Sequence, residues 1–206
     1  MTAAGIRAFP SPGLVSLLGL LMVMPSSTLL ADAQSDGERG ISLYRQGNLI
    51  ESMHLLNAAA EKGYAPAQAV LAHIYDQSEE DEKAVSLYQE AASVKNPEGL
   101  FGLGSMYLKG EGVAKDPRRA AELILEAATL SHSPAMRVVA HAYESGLMGL
   151  VVNQAEALRW YTGAAEAGDH TSIQRLIRAY GQGELGLGVD PAQAQHWTTQ
   201  LTADKD

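Results

Sequence analysis

Cysteine is absent from the 206-residue sequence, and aromatic residues make up only 6% of it. Without cysteine the chain can form no disulfide and no thiolate metal site, and it has no residue to carry a lipid after export. If the chain is exported, it must therefore be stable through packing alone, which is feasible for about 170 residues. Alanine and glycine dominate the composition instead.

Positive charge and strand-like segments are also scarce. The formal net charge is −9 and the isoelectric point is near 5.1, which argues against a nucleic-acid-binding protein, because such proteins carry a basic face. No segment has the alternating β-branched pattern of strands, so an all-α fold is predicted. The sequence also lacks a G-x-S-x-G elbow, an H-E-x-x-H motif and a phosphate-binding loop. We therefore predict neither an enzyme nor a bound cofactor.

Residues 1–33 differ in kind from the rest of the chain. Arg7 supplies one positive charge, an apolar run extends over 14–24, and Ala31–Ala33 has the small residues of an A-x-A cleavage site. The apolar run is shorter than the roughly 20 residues of a membrane-spanning helix. We predict a secretory signal peptide that is cleaved after Ala33, and a periplasmic mature chain, 34–206, without a transmembrane span. The alternative is an uncleaved leader that anchors the chain to the membrane.

A tyrosine recurs along the rest of the chain at a nearly constant spacing. Tyr44, Tyr75, Tyr107, Tyr143 and Tyr180 are separated by 31, 32, 36 and 37 residues. A second landmark keeps the same period, since Ala84, Ala120, Ala157 and Ala194 are separated by 36, 37 and 37 residues. A fixed period of this size in two independent landmarks predicts a solenoid built from helix pairs.

Each repeat is predicted to contain two antiparallel helices, the first of which ends at the recurring tyrosine. Apolar or small residues three and four positions before each tyrosine form a stripe at helical spacing. Gly104 is one of them and would let a neighbouring helix approach closely. Proline, aspartate and glycine signals at helix ends place the pairs at about 36–63, 65–96, 97–132, 133–169 and 170–203.

Two stretches carry a resemblance to a known family. They are Tyr107–Asp116, with the sequence YLKGEGVAKD, and Glu156–Gly168, with the sequence EALRWYTGAAEAG. Together with Leu103-Gly104 and Ala127-Ala128, this pattern resembles the Sel-one-like repeat (SLR), a relative of the tetratricopeptide repeat, over roughly Gly37–Leu201. The resemblance implies a right-handed superhelix with a concave face, and a scaffold or adaptor role such as exopolysaccharide export or periplasmic regulation. It identifies no ligand.

The resemblance also places the first helices along the concave face. Positions six and two residues before each tyrosine escape the apolar stripe and lie one turn apart. The row at six comprises Glu38, Ala69, Phe101, Arg137 and Gln174, and the row at two comprises Ser42, His73, Ser105, His141 and Arg178. From these two rows we predict the partner-binding residues Phe101, Ser105, Arg137, His141, Gln174, Arg178 and His73. Any one of them taken alone is more typical of a solvated helix face, whereas the surface as a whole favours binding, because repeat arrays offer few other sites.

Three functions remain open at this point. A protein partner could bind in the groove around Phe101, and Phe101→Ala or Arg137→Glu should then weaken binding with little change in melting. Alternatively, Arg137, His141 and Arg178 form a locally basic patch that suits an anionic saccharide or envelope polymer. A third hypothesis is a self-assembling spacer, since Trp197 ends the array with little polar capping; otherwise we expect a monomer or a weak oligomer. No metal is predicted, because His141 and Glu144 offer only two ligands.

Overall fold

In the computed structural model, the described part of the chain, residues 26–203, consists of ten α-helices and contains no strand. The helices are α1 (Ser26–Arg45), α2 (Leu49–Glu61), α3 (Ala65–Gln77), α4 (Asp81–Ser93), α5 (Pro97–Lys109), α6 (Pro117–Thr129), α7 (Ser133–Ser145), α8 (Gln154–Glu166), α9 (His170–Gln182) and α10 (Pro191–Ala203). They pack as antiparallel pairs, and the second helix of each pair packs against the first helix of the next. The predicted all-α array of five helix pairs is confirmed. None of these helices is both long and apolar enough to cross a membrane.

The recurring tyrosines mark the point where each later pair turns from its first helix to its second. Gly110, Gly146 and Gly183 end α5, α7 and α9 in the left-handed conformation, which glycine adopts without steric cost. Each loop then returns to the preceding tyrosine, because the N-cap amide of the second helix donates to the tyrosine carbonyl. These bonds are Asp116 N to Tyr107 O, Asn153 N to Tyr143 O and Asp190 N to Tyr180 O. The tyrosine position is therefore tied to the turn as well as to the core.

Small side chains set the distance between paired helices. A Cβ atom at Gly104 would lie 2.7 Å from Ile124 Cγ1 and 3.3 Å from the carbonyl oxygen of Ala120. These contacts show that α6 approaches α5 more closely than any side chain at position 104 would allow. Alanines supply most of the remaining interfaces, and Ala120, Ala127 and Ala128 are fully buried on α6. The core consists of a smaller cluster between α2 and α3 and a larger one from α3 to α10, which is called the main core below. The main core extends over several pairs, so no single pair could bury it alone.

The predicted leader lies largely outside the described residues, which begin at Ser26. Its proposed cleavage site falls inside α1, a 20-residue helix, whereas α2 to α10 contain 13 residues each. Ala33 is completely buried, and Ala31 and Asp32 are exposed. A chain cleaved after Ala33 would keep Gln34–Arg45, which contains the part of α1 that faces α2. Cleavage at this site stays a prediction.

The spacer hypothesis assumed that Trp197 of α10 lies at an uncapped apolar end of the array. Trp197 is only 7% exposed and belongs to the main core, so it is not an open apolar end. Three threonines of α10 donate their hydroxyls to carbonyls one turn earlier in the same helix, namely Thr198, Thr199 and Thr202. The distance from Thr198 Oγ1 to Ala194 O, for example, is 2.8 Å. The burial of Trp197 removes one of the side chains that motivated the self-assembly hypothesis, and self-assembly stays a prediction.

Candidate functional site

The first helices of the pairs lie on the inner side of the array. α3 packs against α1 and α5 in addition to its own partner α4. On the opposite side, clefts open between α2 and α4 and between α4 and α6. In the first three repeats the first helices contact one another while clefts separate the second helices, so this part of the array curves towards the first helices. The side chains that leave the core on these helices therefore form the candidate surface.

The row two residues before each tyrosine is accessible in all five repeats. Ser42, His141 and Arg178 are exposed, and His73 and Ser105 are half-buried. His73 stacks edge-on against Tyr44 with 6.5 Å between ring centroids, and its Nε2 lies 3.0 Å from Gln77 Nε2. Ser105 Oγ donates to the carbonyl of Phe101 at 3.1 Å. The row is a polar strip that crosses the whole described array, and its role in binding stays a prediction.

Most side chains in the row six residues before each tyrosine contact the next repeat. Arg137 Nε donates to Asp169 Oδ2 at 3.1 Å, and Asp169 Oδ1 caps α9 by accepting from Ser172 N at 2.7 Å. Ala69 is completely buried, contrary to its predicted place on the free face. The reason is geometric: this position lies beside the N-cap of the next first helix. Gln174 is in the last described first helix and is exposed.

Phe101 takes part in the same kind of contact one repeat earlier. Its ring lies 5.0 Å from the ring of His132, and it packs against the main core. His132 caps α7 through Nδ1, which accepts from Ala135 N at 3.3 Å, and its Nε2 lies 2.9 Å from Glu98 Oε2. Phe101 is therefore a half-buried residue of the junction between repeats, and truncation of its side chain would affect stability as well as the inner surface.

The junction between the first and second repeats has the same arrangement. Tyr64 precedes α3 at its N-cap, and the pKa of its hydroxyl is raised by burial and by the nearby Glu38 carboxylate. Glu38 is the member of the row at six in α1, so it too faces the next cap. The N-cap residue of a repeat and this inner position of the preceding repeat therefore form a recurring pair.

Two carboxylates at the junctions make the fold sensitive to acid. The hydrogen bond to His132 lowers the pKa of Glu98. For Glu144, burial would raise the pKa, but hydrogen bonds from Arg175 and Tyr161 outweigh it and the pKa is lowered. A carboxylate with a lowered folded-state pKa stabilises the fold above its unfolded pKa of about 4.3, and this stabilisation is lost as the pH falls through the folded pKa.

We expect the free energy of unfolding to decrease as the pH is lowered below about 5, and Glu98→Gln to make that decrease shallower. Urea denaturation at a series of pH values between neutral and acidic would measure it. Glu166→Gln is the matched control, because Glu166 is exposed and forms no ion pair in the described part of the chain. Equal slopes for Glu98→Gln and the unchanged protein would show that the Glu98–His132 contact does not stabilise the fold.

The later half of the inner surface is charge-balanced, not basic. Arg137 pairs with Asp169, Arg178 Nε lies 3.2 Å from Glu184 Oε2, and His141 Nδ1 lies 4.0 Å from Glu144 Oε2. Each of the three predicted cations thus has an acidic neighbour that the row pattern did not include. An anionic saccharide would have to compete with these carboxylates, so the structure gives no support to the polymer hypothesis.

An ion cluster that the sequence reasoning missed joins the fourth and fifth repeats. Arg175 is 11% exposed and its Nη2 donates to Glu144 Oε1 at 2.6 Å, while its Nη1 lies 2.7 Å from Glu184 Oε2. Tyr161 donates its hydroxyl to Glu144 Oε2 at 2.8 Å. Burial and this hydrogen bond raise the pKa of Tyr161, so the phenol stays a donor. The cluster holds α7, α8, α9 and the following loop together.

One signal in the sequence could have revealed Arg175. It stands five residues before Tyr180, where the three preceding repeats have Val70, Gly102 and Val138. The first repeat has the exposed Arg39 there. A cation at a position that is apolar or small in the second to fourth repeats predicts a buried ion pair, because a charge is rarely buried without a partner. The carboxylates themselves could not be identified, since Glu144 is 31 residues away.

The described residues offer no group of three or more His, Asp or Glu side chains that could hold a metal ion. The inner surface consists mainly of polar, paired side chains. Within residues 26–203 it forms no enclosed pocket that contains both a nucleophile and a base. The surface is chemically suited to binding by hydrogen bonds and side-chain contacts.

Comparison with known proteins identifies the repeat. The family model of the Sel1 repeat matches residues 29–64, 65–95, 97–132, 133–169 and 178–201. Among solved structures, a Sel1 repeat protein from Oxalobacter formigenes superposes with a TM-score of 0.74 and 25% identity, covering 82% of this chain and 70% of that one. The protective antigen c5321 of uropathogenic Escherichia coli, which displays an SLR fold, gives a TM-score of 0.67 and 29% identity, covering 88% and 41%.

Curated relatives are longer than this chain. The uncharacterized protein NMB1327 of Neisseria meningitidis is 31% identical over 137 residues, which is 65% of this chain and 29% of that protein. The chitin synthase regulator SKT5 of Saccharomyces cerevisiae is 27% identical over 152 residues, 70% of this chain and 22% of SKT5. The chain thus spans less than a third of the length of these relatives.

Proposed function

Because this chain belongs to the Sel1 repeat family, whose repeats are protein–protein interaction scaffolds, we propose that it is an exported adaptor that binds a segment of a protein partner along its inner face. The Sel1 repeat scaffold family is generally non-catalytic, which agrees with the absence of catalytic motifs from the sequence. Among its relatives, SKT5 is a regulator of chitin synthase and HRD3A of Arabidopsis thaliana is a component of a ubiquitin ligase. Both names describe proteins that work through other proteins.

One observation carries the proposal. On the first helices, the rows three and four residues before each tyrosine are nearly all buried, whereas the row at two is accessible in every repeat. A strip of accessible polar residues beside the buried face of each first helix can contact a long ligand at several points. The junction pairs such as Arg137–Asp169 hold successive repeats in fixed relation. A pre-organised surface of this kind loses little conformational entropy on binding.

Export is proposed from the leader pattern of residues 1–33. A periplasmic adaptor would meet membrane or exported proteins, and the inner strip would present hydrogen-bonding groups to an extended segment of such a partner. Interfaces of this type depend on a few central contacts and not on the whole surface. The inner residues of the fourth and fifth repeats, His141, Gln174 and Arg178, are the most exposed members of both predicted rows apart from those of α1.

The triple variant His141→Ala/Gln174→Ala/Arg178→Ala should lose the partner while it keeps its helicity and melting temperature. The measurement is mild crosslinking in cells, followed by isolation of the C-terminally tagged protein from the periplasmic fraction. We expect a membrane or exported protein to be recovered with the unchanged chain and to be at least about tenfold depleted with the variant, as loss of contacts worth 1.4 kcal/mol would give.

A triple variant on the second helices serves as the matched control. His54→Ala/Arg118→Ala/Gln195→Ala removes the same three side-chain types from exposed positions of α2, α6 and α10. It should recover the partner normally. Equal recovery with both triple variants would refute binding along the inner face, and a tagged chain confined to the cytoplasmic fraction would refute export.

A further inference from the structure

Two depressions of the same design lie on the outer side of the array. The first outer pit lies between α2 and α4 above α3 and has a volume of about 300 Å³; the second outer pit lies between α4 and α6 above α5 and has about 290 Å³. Their apolar floors use equivalent residues, Leu71, Tyr75 and Leu87 in the first and Leu103, Tyr107 and Leu123 in the second. Each volume is at the lower limit of ligand pockets and suits one or two side chains of a partner.

The rim of the first outer pit carries unneutralised negative charge. Glu61 is exposed and forms no ion pair within the described residues, and Glu90 accepts from the Gln68 amide at 2.6 Å but faces no cation. The one cation on the rim is Lys83, whose ammonium is paired with Glu80 and lies 5.0 Å from the centre of the Tyr75 ring. Glu61 and Glu90 therefore leave the pit with a net charge of about −2 at neutral pH.

The second outer pit has a similar volume, mostly equivalent lining residues and no net charge. Ser93 stands where the first pit has Glu61, and the Glu126 carboxylate lies 3.1 Å from the ammonium of Lys95. Arg119, which corresponds to Lys83, is paired with Glu122 at 2.8 Å. The main chemical difference between the two pits is therefore the charge of the rim.

We propose that the first outer pit is a docking site for an apolar side chain of a protein segment in which lysine or arginine flanks that side chain. The floor of Leu71, Tyr75 and Leu87 removes the apolar side chain from water, while Glu61 and Glu90 attract the flanking cations. The turn 79–82 adjoins Lys83 and carries three further carboxylates besides the paired Glu80. This site is separate from the inner strip, and it would give the adaptor a second, outward-facing contact.

The test uses a fluorescein-labelled, acetylated peptide with the sequence Lys-Lys-Leu-Lys-Lys and measures its Kd for the full chain by fluorescence polarisation. Two peptides are compared with it: one has alanine in place of leucine, and the other has glutamates in place of the lysines. We expect each of them to bind at least about fivefold more weakly, which is the effect of roughly 1 kcal/mol. Equal binding of the leucine and alanine peptides would contradict the apolar pit.

Because the chain is acidic, a basic peptide could associate with it without using the pit, and a charge-matched pair of variants separates the two cases. Glu61→Lys should weaken binding about fivefold or more. Glu166→Lys, which makes the same charge change at an exposed position of α8, should have a much smaller effect. Equal weakening by both variants would overturn the proposal in favour of non-specific attraction.

A gain of function in the second outer pit provides an independent check. Ser93→Glu/Lys95→Gln places an acid where the first pit has Glu61 and frees the Glu126 carboxylate. Both positions are exposed, so the fold should be retained. The stoichiometry of the lysine peptide should rise from one to two per chain. A stoichiometry that stays at one would show that the shared shape and the rim charge are not sufficient for docking.

Discussion

Arg175→Met should lower the free energy of unfolding by about 3 kcal/mol, the largest effect that we expect from one polar side chain. The guanidinium is 11% exposed and lies between Glu144 and Glu184, at 2.6 and 2.7 Å. Methionine keeps the apolar part of the side chain but removes the cation that lies between the two carboxylates. Within the described residues, Glu144 then retains only the Tyr161 hydroxyl and the more distant His141 ring, and Glu184 retains only Arg178. Since the Glu144 side chain is only 25% exposed and loses the cation that contacts it directly, the cost exceeds that of a surface ion pair. Urea denaturation would measure it.

The Arg175→Met effect should also depend on pH in a defined direction. Arg175 helps to lower the pKa of Glu144, so the variant loses this influence and its Glu144 takes up a proton more readily. The difference in stability between the unchanged protein and the variant should therefore shrink as the pH is lowered, because protonation relieves the repulsion between the two carboxyl groups. A difference that is constant from neutral to acidic pH would show that the loss comes from packing alone.

Arg159→Met is the matched control for the ion cluster. Arg159 is 60% exposed, its Nη2 lies 2.7 Å from Glu156 Oε2 on the same helix, and its guanidinium lies 4.4 Å from the centre of the Trp160 ring. An exposed pair of this kind contributes at most about 1 kcal/mol. If Arg159→Met were as destabilising as Arg175→Met, the burial of Arg175 between two repeats would not be the reason for its effect.

Gly102→Ala should destabilise the fold by about 2 kcal/mol, although alanine is the better helix former. A Cβ at this position would overlap the ring of Tyr88, which is 3% exposed and belongs to the main core. Because the Tyr88 ring is buried, it cannot rotate out into solvent to make room, so α4 and α5 would have to move apart. Thermal and urea denaturation of the variant would report the loss.

The opposite sign is expected at Gly181, which provides the control for Gly102. This glycine lies in α9, is exposed, and has no atom within 4 Å of a Cβ placed there. Gly181→Ala should therefore stabilise the protein by up to about 1 kcal/mol through helix propensity. If both alanine variants changed stability in the same direction, the close contact with Tyr88 would not govern the effect at position 102.

Much of the fold was predictable because its determinants are local. The recurring tyrosines, the N-cap residues such as Asp116 and the glycines after the first helices all act within a few residues of their own position. The period of these signals predicted helix pairs, and the family match confirms the Sel1 repeat. Periodicity also placed the row at two residues before each tyrosine on the accessible side.

The sequence by itself therefore determined the fold class, the repeat and the accessible strip. The use of the row at six for contacts between repeats, the balanced charge around Arg137 and Arg178, the Arg175 cluster and the two outer pits required the tertiary structure. The reason is the distance along the chain between the interacting groups: Arg137 binds Asp169 across 32 residues, Arg175 binds Glu144 across 31, and His132 meets Glu98 across 34. A helical period predicts which face a side chain occupies, but only the stacking of neighbouring repeats decides which charge or ring it meets there.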